Sequence, residues 1–185
     1  MRVISFVNKK GGAGKSTSVC ALALYWAERA RKRVAVQDME LDGGSSSFVD
    51  YIDHPNLAHY ESGGSYDYVL VDTQGGASDA ELAEVERSSD LVVIPLLLAP
   101  LDVAKAVETA GKLQRPERAR LLLNQTRVNT TAWRDRAQVL DAIPVAALDS
   151  HLTRRTAYAN LLVDGWSALN RDALTELETL AWEVS

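Results

Sequence analysis

The apolar run VISFV (Val3–Val7) passes directly into NKKGGAGKST (Asn8–Thr17), and this junction constrains the fold more than any other feature of the chain. A β-branched run, three glycines within four residues and then the helix-compatible KSTSVCALAL predict a strand, a tight turn and a helix, in that order. The first backbone N–H groups of such a helix have no intrahelical acceptor and lie at the positive end of its dipole, so the turn forms a cradle for phosphate. Gly11, Gly12 and Gly14 allow a close backbone approach that side chains would block. The cradle is read as Gly11, Gly12, Ala13, Gly14, Lys15, Ser16 and Thr17. In it Lys15 reaches β- and γ-phosphates, and the Ser16 hydroxyl supplies an oxygen to Mg²⁺.

Downstream, short apolar runs alternate with helical patterns. Strands are predicted at 2–7, 33–38, 68–72, 91–96, 120–125 and 144–148, and helices near 15–31, 78–88, 101–113, 131–141 and 168–183. Nearly continuous apolarity in the strands fits a sheet covered on both sides. The fold class expected is α/β: a doubly wound, mostly parallel sheet with helices on both faces, in a single domain spanning 1–185. Two stretches break the rhythm. Residues 41–65 are rich in Gly, Ser, Asp and His, and read as a short helix or extra strand within a long connection. Residues 149–166 join a polar, basic start to an apolar helical pattern.

One residue of the loop is surplus to phosphate binding within a single subunit. Lys9 stands where the common form of the loop has its first glycine, and Lys10 is a second lysine ahead of Lys15. KGGAGKS (Lys10–Ser16) resembles the deviant Walker A motif of the ParA/MinD family of P-loop ATPases. SDLVVIPLLLAPLDVAKA resembles the fourth-strand region of the ParA-type proteins, and TRRTAYANLLVDGWSALN resembles a later Arg-x-x-x-Tyr pattern. Within the family the chain is most similar to the small partition ATPases that have no N-terminal DNA-binding domain. The resemblance implies an ATP-dependent homodimer, with Lys10 crossing to phosphate on the partner's nucleotide. A cation there offsets repulsion between two facing triphosphates. Lys9 reads as a solvated loop lysine.

The same resemblance assigns the acids. Asp38 ends VAVQD at the first acidic position of an Asp-x-Asp segment, as a catalytic or metal-binding carboxylate. Glu40 stands at the second, where the family positions the attacking water, and Asp42 stands where glutamine is frequent. A glutamate in place of aspartate displaces its carboxylate by about an ångström, so slow hydrolysis is expected. The alternative for both residues is an acidic turn without chemistry. Asp72 ends YVLVD in a Walker B arrangement and would hold Mg²⁺, with Gly75 and Gly76 allowing the next loop to respond to the γ-phosphate. Asn124 falls where relatives contact adenine, and serves equally as a turn former.

Composition narrows the partners. With 46% hydrophobic and 24% charged residues and no apolar run of membrane-spanning length, the chain reads as soluble. No leader pattern is seen at its start, and a cytoplasmic location follows. The one cysteine, Cys20, has no pairing partner, which excludes a cluster-carrying branch. DALTELETLAWEVS is acidic, unlike a basic membrane-targeting helix, and its leucines form a core-facing stripe. The implied cofactors are ATP/ADP and Mg²⁺. The implied partners are a second copy of the chain, non-specific DNA, and a ParB-like or small centromere-binding adaptor that stimulates hydrolysis; DNA binding would make the protein nucleoid-associated. The net charge of −5 opposes nucleic acid unless cations are clustered. Arg154 and Arg155 are the candidate cluster, with Arg127, Arg134, Arg136 and Arg171 as neighbours. A nucleotide-bound interaction module with negligible hydrolysis is the alternative reading.

Overall fold

The computed structural model describes residues 1–40 and 43–185. Leu41 and Asp42 lie outside the described residues, and the reading of Asp42 with them. The strands are β1 (Arg2–Phe6), β2 (Val34–Asp38), β3 (Leu57–His59), β4 (Tyr68–Asp72), β5 (Leu91–Leu96), β6 (Ala119–Thr126) and β7 (Ala147–Thr153). They form one sheet in the order β3-β2-β4-β1-β5-β6-β7, with every pairing parallel. Parallel neighbours need crossovers, which the helices supply. These are α1 (Lys15–Leu24), α2 (Gly44–Ile52), α3 (Asp79–Ser88), α4 (Pro100–Ala110), α5 (Thr131–Arg134), α6 (Arg136–Asp141), α7 (Thr156–Ala159), α8 (Leu161–Asp164) and α9 (Arg171–Val184).

The sheet separates two apolar cores. Phe6, Leu22, Leu24, Leu70 and Leu122 pack with α1, α2 and α9 on one side. Ile94, Leu96, Leu121 and Leu123 pack beneath α3 and α4 on the other. Helix α1 is buried from Ser18 to its end, Cys20 included, because it lies between sheet and α9. It continues as a single π-turn, Tyr25–Arg29, that carries Trp26 onto Tyr68 with ring centroids 3.9 Å apart and nearly parallel planes. Leu177, Leu180 and Val184 of α9 are buried.

Two sequence readings are corrected. The connection 41–65 contains both a helix, α2, and a strand, β3, which lengthens the sheet by one edge. The last strand is Ala147–Thr153, not 144–148. As an edge strand it buries alternate residues, Leu148, Ser150 and Leu152, so the apolar run PVAAL marks its approach and not its extent. Strand β1 lies between β4 and β5, where the chain order reverses. Loops leaving the carboxyl ends of β1, β2 and β4 therefore open into one crevice.

Candidate nucleotide site

The crevice is organised by register. Phe6 pairs with Asp72 across β1 and β4, and Asp38 pairs with Asp72 across β2 and β4. The glycine loop and both strand-end carboxylates consequently leave the sheet at one level. Gly14 caps α1 with φ 89° and Gly12 has φ 81°, left-handed conformations that glycine adopts without strain. Beside Gly11 and Gly12 a side chain would meet no atom within 4 Å, so the loop faces open space. Behind Gly14, by contrast, a Cβ would collide with the side chain of Asn124.

Asn124 belongs to the wall behind the loop. Its Nδ2 donates to the carbonyls of Ala13 at 3.2 Å and Gly14 at 3.3 Å and to Ser18 Oγ at 3.1 Å, and it is 5% exposed. These bonds brace the loop from beneath. Asn124 and Thr17 also line a cavity of about 230 Å³ beside the start of α1, together with Gln125, Thr153, Arg155 and Tyr158.

Lys15 is 7% exposed, and no carboxylate lies within ion-pair distance of it among the described residues. Asp72 is 3% exposed, and its Oδ1 is buried without a hydrogen-bond partner. Burial pushes the Asp72 carboxyl above the usual carboxylate range; the hydroxyls of Ser16 and Ser45 pull it down, the Asp38 charge pushes it up, and Lys15 pulls it down. A buried cation without a counter-ion and a buried carboxylate with an unused oxygen are unfavourable in isolation. A triphosphate and a divalent cation relieve both. The donors the crevice offers, the Ser16 hydroxyl and the Asp72 carboxylate, are few and oxygen-based. That suits Mg²⁺, which takes one or two protein ligands together with phosphate and water.

Asp38 and Glu40 form a relay of contacts. Asp38 Oδ2 accepts from Ser45 Oγ at 2.8 Å and from the Ser46 N–H at 2.9 Å, and its Oδ1 accepts from the Glu40 N–H at 3.0 Å. It thereby caps the first turn of α2. Glu40 Oε1 accepts from the Gly75 N–H at 3.2 Å, tying the loop after β2 to the loop after β4. Ser45, wholly buried, is not among the residues singled out from the sequence; its signal is the GGSSS run within the connection read as a short helix or extra strand.

The two lysines before the cradle are held apart. Lys10 Nζ lies 2.6 Å from Asp102 Oδ2, with the side chains 33% and 5% exposed. Its N–H donates to Asn8 Oδ1, and Asn8 in turn donates to the Pro95 carbonyl. Lys10 therefore rests against the first turn of α4, on the rim of the cradle. Asp102 had a signal too: an acid following APL reads as a helix-start residue, and its pairing with Lys10 is visible only in three dimensions. Lys9 bridges Asp79 of α3 at 2.8 Å and Glu108 of α4 at 3.3 Å, correcting its reading as a solvated lysine.

Arg154 and Arg155 part company. Arg154 is exposed. Arg155 donates through Nε and Nη2 to Glu176 at 3.0 and 2.8 Å and pairs with Asp172 at 3.3 Å, so its charge is already partnered inside the chain. Glu176 also accepts from Thr153 N–H, Thr153 Oγ1 and Tyr158 Oη. Burial pushes its carboxyl up, but Arg155, Thr153 and Tyr158 outweigh burial and hold it below the usual range. A depressed carboxyl contributes stability above its unfolded pKa and loses it as pH falls through the folded value. Glu176→Gln is expected to lower the melting temperature at pH 7 by about 5 °C, from a loss of roughly 2 kcal/mol. In parallel melts by circular dichroism, the gap between variant and parent should close below about pH 4.

A family model described as VirC1 protein matches residues 55–181. The chain belongs to the VirC1 family. This VirC1-family chain is 27% identical over 209 residues to maintenance of carboxysome distribution protein A of Halothiobacillus neapolitanus, covering 98% of the chain and 95% of that protein. Among solved structures it is similar to a putative plasmid partition protein of Borrelia burgdorferi bound to AMPPNP, with TM-score 0.76, 17% identity and coverage of 99% and 97%. It is also similar to the septum site-determining protein MinD of Pyrococcus horikoshii complexed with Mg-ADP, with TM-score 0.78, 16% identity and coverage of 100% and 96%. The fold is that of the ParA/MinD-type P-loop ATPases. No helix among the described residues is long and apolar enough to cross a membrane.

Proposed function

We propose that this VirC1-family chain is a ParA-type ATPase that closes into a homodimer with ATP, binds non-specific DNA as a carrier and distributes a plasmid, chromosome or protein assembly, with an adaptor stimulating hydrolysis. The reading is supported above all by one loop that puts two lysines to different uses. Lys15 is buried at the start of α1 with no carboxylate partner among the described residues, while Lys10 stays on the rim, one-third exposed. A single-subunit phosphate site needs only the first. The names of the similar proteins, a carboxysome-distribution protein and a plasmid partition protein, are consistent with cargo positioning.

In this mechanism the backbone N–H groups of Gly11–Gly14 and the Lys15 ammonium hold the phosphates, with Thr17 and Asn124 at the adjoining cavity. Ser16 and Asp72 would hold Mg²⁺, with Asp38 behind them; the ion supplies charge neutralisation for phosphoryl transfer. Glu40 orients the attacking water. Its Oε1 accepts from the Gly75 N–H, which leaves Oε2 to accept from that water. Lys10 leaves Asp102 and crosses to the partner's nucleotide.

Glu40 is also where the alternative of a nucleotide-bound module with negligible hydrolysis meets its test. The Glu40→Ala variant is expected to bind ATP like the parent and to release phosphate at least about tenfold more slowly, since a single positioned group contributes 10²–10⁴-fold when fully engaged. Phosphate release measured with and without adaptor decides. A parent rate no higher than that of Glu40→Ala, even with adaptor, would favour the module.

A further inference from the structure

The net charge of −5 conceals a division between the two ends of the sheet. The nucleotide end carries Asp38, Glu40, Asp72, Asp79 and Asp102. At the opposite end, where the π-turn after α1 leads into β2, the sequence reads RARKR, residues 29–33, and Arg29, Arg31, Lys32 and Arg33 are all exposed. None of the four forms an ion pair among the described residues. Lys9, Lys10, Lys105 and Lys112 at the other end are all paired. Asp67 and Asp90, at this end of the sheet, accept from the backbone N–H groups of Arg33 and Val3, and Glu28, next to Arg29, is paired with His54.

Helix termination does not account for this cluster. A cation in the last turn complements the helix dipole, but that field fades beyond the turn, and Arg31, Lys32 and Arg33 lie past it. The Lys32 N–H donates to the Trp26 carbonyl at 2.9 Å, closing the helix end with Arg31 at φ 55°. That position ordinarily favours glycine, because an L side chain there costs on the order of 1 kcal/mol. The chain places a charged side chain where a neutral glycine is easier, and fixes its direction by doing so. The turn holds no large apolar residue that could enter a lipid surface.

We infer that the turn Arg29–Arg33 is a phosphate-backbone contact surface for duplex DNA. This rests on the proposed carrier-bound ATPase only for the identity of the polyanion. A dimer joined across the phosphate loops would leave this end of both subunits uncovered, so the contact would be available in monomer and dimer alike. It would also explain how an acidic protein meets DNA although Arg155 is internally paired.

The test uses the full chain, a fluorescent random-sequence duplex and anisotropy across a salt series. The variant is Arg29→Gln, Arg31→Asn, Lys32→Gln, Arg33→Gln; asparagine tolerates the left-handed backbone at 31. Each lost phosphate contact lowers the slope of log affinity against log salt by about 0.9, so with all four cations removed the slope is expected to fall by about 3.6 and low-salt affinity by at least about tenfold. Phosphate release and the ATP-dependent rise in mass should match the parent, which reports on folding and on the ATPase reading separately. Equal DNA binding by variant and parent overturns the inference. So does a parent that ignores DNA at low salt, or one that binds anionic phosphatidylserine vesicles but no duplex.

Discussion

Replacing Lys15 with alanine is expected to abolish nucleotide binding at micromolar concentration. The ammonium is buried beside Asp72 at the start of α1 and has no carboxylate within ion-pair distance among the described residues, so a phosphate is the counter-charge its position awaits. Two charge-assisted hydrogen bonds to phosphate contribute together about 3–5 kcal/mol, and their loss weakens binding by roughly 10²–10⁴-fold. Calorimetric titration with ATP and Mg²⁺ reads this directly. The variant loses a buried cation and, with it, the favourable field of that cation at Asp72, so a thermal melt without nucleotide serves as the control for folding. Retained affinity within tenfold of the parent would mean that the backbone alone carries the phosphates.

Lys10→Ala should separate binding from assembly. Its affinity for ATP is expected to stay within a few-fold of the parent, while the proposed ATP-dependent dimer is lost, because that proposal places the Lys10 cation between two facing triphosphates. The Lys10–Asp102 pair complicates a single substitution. Asp102 is almost wholly buried, and its Oδ1 already has no partner, so Lys10→Ala leaves a buried carboxylate without its counter-ion, at a cost of up to about 3–5 kcal/mol. A double variant, Lys10→Ala with Asp102→Asn, removes both charges. It should recover stability and still fail to dimerise, which assigns the loss to Lys10 and not to a damaged α4. Asp102→Asn alone frees Lys10 from its resting partner and should favour the dimer at lower ATP.

The glycine loop was legible in the sequence because its demands are local: a strand, residues that accept left-handed backbone, and a lysine and hydroxyl at fixed offsets. The doubly wound sheet followed from alternation of apolar runs with helical patterns, and β4 lies where it was expected. Other features depend on contacts between residues far apart in sequence. The end of β7 was misplaced because an edge strand shows its burial in alternate residues and not in a continuous run. The role of Asn124 as a brace under Ala13 and Gly14 needs β6 and the loop to be neighbours. Arg155 looked free because Glu176, its partner, lies 21 residues away on α9. The RARKR turn was divided between a helix and a strand in the sequence reading, and only the position of its exposed side chains at the end remote from the acidic crevice sets it apart.

A change of assembly driven by nucleotide is the central event of the proposed cycle. Light scattering of the parent at one protein concentration, with Mg²⁺ and either ADP or a non-hydrolysable ATP analogue, measures it most directly. The expected result is a mass close to the 20.2 kDa of one chain with ADP and twice that with the analogue, the doubling being absent in the Lys10→Ala, Asp102→Asn variant. An analogue-bound protein that remains a monomer, or a variant that doubles like the parent, would contradict the assignment of Lys10 to the neighbouring subunit.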